Sequence, residues 1–151
     1  MVNFCRAHKQ GTVQQLPNVG GRPLVTPRCF LAFVAENEGR FFVRQRPAGV
    51  INAHLWEFPN VEARNGDAQQ AARKLFGNKR WILKRLCVFK HSITRYRITM
   101  EVFHLTGNTP RNRGPEQGAW LNTRQLSLLP FSSAHKKILM LALQDGAKLH
   151  E

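Results

Sequence analysis

The sequence predicts an α+β domain, a mixed β-sheet packed by two main helices, and three observations carry that reading. Two pairs of β-rich segments flank short polar turns, two segments show helical spacing with capping residues at their ends, and 151 residues suit one core. There is no internal repeat, and no second domain fits in the length.

Residues 1–27 contain GTVQQLPNVGGRPLVTP, punctuated by Gly and Pro without a sustained period, and read as an extended linker. The folded domain is expected over residues 28–151. CFLAFVAENEGRFFVRQR predicts a hairpin, with strands at 29–35 and 40–46 and a turn at 36–39, because apolar β-formers flank a short polar stretch ending in Gly39. PAGVINAH reads as a loop, and LWEFP as a short strand stopped by Pro59.

GDAQQAARKLFG carries a helix signature. Asp67 is placed to cap the first amides, Ala71, Ala72, Leu75 and Phe76 share a face, and Gly77 suits the C-terminal cap. WILKRLCVFKH and ITRYRITMEVFHL predict a second hairpin joined around 91–94, with Ile98, Met100 and Val102 alternating as core positions. After the loop TGNTPRNRGPEQ, GAWLN reads as an edge strand and TRQLSLLP as a short helical turn. SSAHKKILMLALQDG then predicts a terminal helix with a Ser cap, apolar Ile138, Leu141 and Ala142, and an end at Gly146. Trp56, Phe58, Trp81 and Trp120 read as core aromatics.

Charge narrows the function. Lys and Arg total 23 against 9 Asp and Glu, a formal +14, and the pI is near 11.1. Such an excess predicts a polyanionic partner, because Lys and Arg gain affinity for nucleic acid by releasing counterions condensed on phosphates. A membrane is disfavoured: no basic amphipathic helix of membrane type stands out, and the runs CFLAFVA and ILMLAL fall far short of the ~20 residues of a spanning helix. The N-terminus MVNFCRAHKQ lacks the pattern of a secretory signal. Three widely spaced cysteines, Cys5, Cys29 and Cys87, fit reduced thiols in an intracellular compartment, with Cys29 and Cys87 expected in the core.

The element order around LWEFP resembles the Nudix fold, whose hydrolases place a metal site on the loop and helix that follow such a segment. Their chemistry needs clustered carboxylates to hold a divalent cation against a diphosphate. Here AQQAARKLFG offers no acid beyond Asp67 at its start, and the nearest others are Glu57 and Glu62 upstream. A basic helix repels magnesium, so Nudix pyrophosphohydrolysis of nucleoside diphosphate derivatives is the weaker alternative. A generic basic nucleic-acid-binding domain is another.

A narrower resemblance runs through CRAHKQGTVQQLP, RFFVRQRP, HLWEFPNVE, FKHSITRYRITMEVF, GAWLN and LPFSSAHKKIL. Over nearly its whole length the chain resembles the C-terminal, Nudix-like domain of A/G-specific adenine DNA glycosylases, the MutY family. The resemblance implies a base-excision-repair module that recognises 8-oxoguanine opposite adenine in duplex DNA, while a catalytic domain elsewhere in the protein excises the adenine. It places recognition on His91, Ser92, Ile93, Thr94 and Arg95, with Ile93, Thr94 and Arg95 at the family's aromatic-hydroxyl-His positions. Thr94 keeps a hydroxyl, Arg95 replaces an imidazole, and Ile93 loses aromatic stacking. For His91 and Ser92 the residues allow a second role, as a hydrogen-bonded turn fixing the hairpin.

Phosphate contacts are expected from Lys90, Arg44, Arg46, Lys136 and Lys137, with Arg95, Arg97, Arg111 and Arg113 as further cations. Cys5 matches the last of four cysteines that hold an iron-sulfur cluster in the family. One cysteine cannot hold a cluster, so the resemblance implies a fragment without cofactor or catalytic residues of its own, whose parent carries the cluster. The implied partners are DNA containing the 8-oxoguanine:adenine pair and the parent's N-terminal catalytic domain, and the implied location is intracellular and DNA-associated, in the cytoplasm or nucleoid of a bacterium.

Overall fold

The structure is a computed structural model that describes residues 4–16, 24–63, 67–78, 81–106 and 118–148. Its centre is β1 (Thr26–Asn37), whose side chains alternate between two cores. Ala32 and Val34 join one apolar cluster, and Leu31, Phe33 and Ala35 join the other. Burial on both faces is why this strand reads as a continuous apolar run.

β2 (Arg40–Gln45) folds back on β1 through Glu38 and Gly39, both at positive φ, 50° and 70°. Two left-handed residues match the right-handed twist of the strands they join, so the expected turn forms as a two-residue hairpin loop. β3 (Trp56–Glu57) pairs with β2, and β4 (Asn60–Glu62), which the sequence does not announce, pairs antiparallel with β1.

Helix α2 (Ala68–Phe76) is capped by Asp67, whose carboxylate accepts from the Gln70 N–H at 3.1 Å, and ends at Gly77 with φ 98°. Its buried residues are Ala71, Ala72 and Phe76, and they pack with Phe33, Phe42 and Trp81.

β5 (Ile82–Ile93) and β6 (Tyr96–Thr106) form the second hairpin, bulged between Arg85 and Cys87. β6 lies parallel to β1 over ten residue pairs from Thr26↔Tyr96 to Ala35↔Leu105, which makes the seven-stranded sheet mixed. Ile98, Met100 and Val102 are buried, as their alternation predicts. β7 (Gly118–Asn122) pairs, among the described residues, with β2 alone and is an edge strand.

α3 (Thr123–Ser127) starts in a reciprocal capping box between Asn122 and Gln125. α4 (Ser133–Lys148) buries Ala134, His135, Ile138, Leu139 and Ala142 against the core opposite α2. It continues past Gly146, since one glycine weakens a helix by only about 1 kcal/mol and does not stop it.

Three expectations are corrected. The segment before β1 is not uniformly extended: α1 (Arg6–Lys9) and a 3₁₀ turn at Val13–Gln15 form there. Cys29 is exposed, because the helix covering its face of β1 reaches Leu31 and stops short of it; Cys87 is half-buried against the α4 core. His91 and Ser92 do not form the turn: they are strand residues paired with Ile98 and Arg97, and the loop is Thr94 and Arg95. Arg111 and Arg113 lie outside the described residues.

Candidate nucleic-acid interface

Two charged regions flank a cavity between the end of the second hairpin and the start of α4. The deeper one is built on Glu57, 3% exposed in a strand between Trp56 and Phe58. Arg44, its cross-strand partner, donates to Glu57 Oε1 at 2.9 Å and to the Asn60 carbonyl at 3.2 Å. Arg46 donates to Glu57 Oε2 and, through Nε, to the Ile51 carbonyl at 2.9 Å. Burial alone raises the Glu57 pKa, but Arg44, His135 when protonated, and Arg46 outweigh it, and the carboxyl is held below its ordinary value.

His135, on the first turn of α4, closes this cluster. Its Nδ1 accepts from the Phe58 N–H at 3.2 Å, so the neutral ring carries its proton on Nε2, 3.8 Å from Glu57 Oε2. Burial is the main cause that lowers its pKa to about 4. Arg44 and Arg46 are therefore not bare phosphate ligands: each guanidinium is already engaged by a carboxylate and a backbone carbonyl.

The shallower region is the β5–β6 tip. Alternation sends His91 and Ile93 toward the α4 side, where they line a cavity of ≈ 100 Å³ with Arg28, Phe30, Tyr96 and His135. His91 Nδ1 has no partner among the described residues, and burial lowers the ring's pKa. Ser92 points to the opposite sheet face. Thr94 and Arg95 are exposed at the tip itself, and Thr94 stands at φ 49° with its hydroxyl donating to the Ile93 carbonyl at 2.7 Å.

Arg95 Nη2 donates to the Tyr96 hydroxyl at 3.2 Å, and its guanidinium lies 5.3 Å from the ring centre. Arg28 lies 4.9 Å from the same ring and pairs with Glu62 at 2.9 Å. Tyr96 thus stands between two guanidiniums, which lower its pKa, chiefly through the Arg95 hydrogen bond. Of the other expected cations, Lys137 sits 4.9 Å over Phe89, while Lys90 and Lys136 are exposed.

The surface of α2 is chemically different from a cation site. Arg73 and Lys74 line its groove with Glu62 and Asp67, and among the described residues no three of His, Cys, Asp and Glu converge. That set does not fit a divalent metal, which needs clustered oxygen donors. Cys5 is exposed just before α1, and a single thiolate does not hold an iron-sulfur cluster. No described helix is long and apolar enough to cross a membrane.

The NUDIX domain family model matches residues 31–141, spanning the sheet, α2 and most of α4. The chain belongs to the NUDIX domain family. The chain is 29% identical over 119 residues to human adenine DNA glycosylase, a match covering 73% of this chain and 22% of that protein. The chain therefore spans less than a quarter of that relative's length.

Among solved structures, the C-terminal domain of mouse MUTYH, in a complex with human PCNA, is similar with a TM-score of 0.64 and 22% identity, over 80% of this chain and 90% of that one. A MutT protein from Methanosarcina mazei gives a TM-score of 0.60 at 14% identity, over 82% and 97%. These likenesses establish the Nudix fold for the chain and accord with a mixed sheet between α2 and α4.

Four residues that matter to this site were missed from the sequence as site residues, Glu57, His135, Arg28 and Tyr96. Their signal was present only in pairing. Arg28 and Tyr96 are brought together by the parallel β1–β6 register, which no local pattern encodes.

Proposed function

We propose that the chain is the C-terminal, Nudix-like domain of an adenine DNA glycosylase of the MutY type, and that it reads 8-oxoguanine opposite adenine in duplex DNA. In this reading a catalytic domain elsewhere in the same protein flips out and removes the adenine, and Cys5 is the last of four ligands to that domain's iron-sulfur cluster. The observation that carries the proposal is the hairpin tip: Thr94 and Arg95 project from a paired strand end, with a free hydroxyl lone pair and a guanidinium held against Tyr96. Such groups suit a base edge in a groove, since a hydroxyl accepts or donates and Arg reaches the guanine edge in a forked geometry. The likeness to human adenine DNA glycosylase supports the assignment, as does the α2 surface, where cations stand in place of metal-binding acids.

The test is competition binding of an 8-oxoguanine:adenine duplex against a guanine:adenine duplex at fixed salt. The wild-type chain is expected to prefer the lesion duplex, and Thr94→Ala with Arg95→Ala to lose most of that preference. Equal affinities in the wild-type chain would overturn the proposal, and magnesium-dependent turnover of nucleoside diphosphate derivatives would favour the hydrolase alternative.

A further inference from the structure

The second hairpin has two chemically different faces. On the α4 side, Cys87, Phe89, His91 and Ile93 alternate into the core and cavity. The intervening residues Lys90 and Ser92 therefore lie on the other side of the sheet, beside their cross-strand partners Thr99 and Arg97.

That side is covered by α2 only where β1 carries Leu31, Phe33 and Ala35. Nearer the tip, Lys90, Ser92 and Arg97 are exposed, Thr99 is half-buried, and the neighbouring β1 residues Pro27 and Cys29 are exposed as well. Among the described residues neither Lys90 nor Arg97 has an acidic partner. Along this face Glu101 is held by Arg85 at 3.0 Å, and Glu62 is held by Arg28 at 2.9 Å.

We propose that this uncovered end of the sheet, presenting Lys90, Arg97, Ser92 and Thr99, is the surface on which the sugar-phosphate backbone of duplex DNA docks. Two unpaired cations interleaved with two hydroxyls are the side chains that contact phosphate oxygens, which set register without reading sequence. The excess of +14 gives the chain the complementary charge. The inference rests on the reading above for its orientation: with the tip directed at a base edge, a face running back from the tip meets the flanking phosphates. It divides the hairpin's labour, with Thr94 and Arg95 at the lesion and Lys90, Ser92 and Arg97 on the backbone.

The test uses the whole chain and an undamaged duplex, with affinity measured by fluorescence anisotropy across a salt series. Lys90→Gln and Arg97→Gln are each expected to reduce the slope of log K against log salt by about 0.9, the value for one lost phosphate contact. Arg40→Gln, an equal charge loss at the opposite end of the sheet beside Asn37 and Asn122, is expected to leave the slope nearly unchanged. The ratio of affinities for lesion and undamaged duplexes is expected to stay the same in Lys90→Gln and Arg97→Gln. An unchanged slope in these two variants, or an equal fall in Arg40→Gln, would overturn the docking surface even where Thr94 and Arg95 still govern lesion preference. A reduced slope without any lesion preference would support the surface and sink lesion reading.

Discussion

The Glu57 cluster and the β5–β6 tip lie on two sides of one cavity, yet they treat charge in opposite ways. In the cluster a carboxylate is withdrawn from water and met by Arg44, Arg46 and the Nε2 side of His135, and each arginine also donates to a carbonyl. At the tip, among the described residues, the Arg95 guanidinium makes one hydrogen bond, to Tyr96, and the side chain is exposed. Groups engaged internally by a buried charge hold a fold together, whereas groups left exposed at a turn are available to a ligand. By that criterion Arg44 and Arg46 serve the scaffold, and Thr94 and Arg95 remain the groups to which recognition is proposed to fall.

The largest effect that sharpens this contrast is expected from Glu57→Gln. The amide leaves two guanidiniums facing a neutral group, and since both are about a quarter exposed the loss is set near the low end for a broken buried pair, about 3 kcal/mol. Urea denaturation reads it; a loss below about 1 kcal/mol would place Glu57 among the solvated surface pairs.

Acid should strike the same region. His135 has a folded pKa of about 4 against an ordinary 6.5, so the unfolded chain takes up the proton first as pH falls. Stability is full above pH 6.5 and declines by about 3 kcal/mol on the way to pH 4, from one pKa unit being about 1.4 kcal/mol. Glu57 acts in the same direction, because its depressed pKa gives stability that is present above its ordinary 4.5 and is lost as pH falls through the folded value. His135→Asn retains an acceptor for the Phe58 N–H and should flatten the decline between pH 6.5 and 4; an undiminished decline would show that other groups carry it.

How far the sequence foretells these two regions differs for a physical reason. Caps and alternation are local, so Asp67, Gly77, a turn within residues 36–39 and the Ile98, Met100, Val102 stripe are all legible before the fold is known. Pairing between distant strands is not local. The parallel β1–β6 register, the β4 strand, and the meeting of Arg28 with Tyr96 depend on it. Arg44 and Arg46 read as free cations because the partner that engages them, Glu57, sits 11 to 13 residues away on another strand. The exposed end of β1 was misread for a related reason: Cys29 has the neighbours of a core residue, but the helix that would cover it stops short.

At the tip the expected effects are smaller and one reverses sign. Thr94 is β-branched and sits at φ 49°, a conformation that crowds its Cβ. Thr94→Gly should relieve about 1–3 kcal/mol of strain and add about 0.5–1 kcal/mol of chain entropy to the unfolded state, for a net gain of roughly 1 kcal/mol. The same change removes the hydroxyl, so lesion preference should fall while the melting temperature rises. A variant that loses stability instead would show that the Thr94 hydroxyl's bond to the Ile93 carbonyl matters more than the strain.

The smallest effect on folding, and the most specific readout, belongs to Arg95→Ala. Tyr96 is the single tyrosine of the chain, so phenolate absorbance reports one group. Its pKa is lowered first by the hydrogen bond from Arg95, then by that residue's charge, with Arg28 contributing less. Removing Arg95 should therefore raise the phenol pKa, and Arg28→Ala should raise it by a smaller amount, while neither shifts the denaturation midpoint as Glu57→Gln does. If Arg28→Ala moved the phenol as far as Arg95→Ala, the tip arginine would not be docked on Tyr96, and the guanidinium assigned to the base edge would lack the contact that orients it.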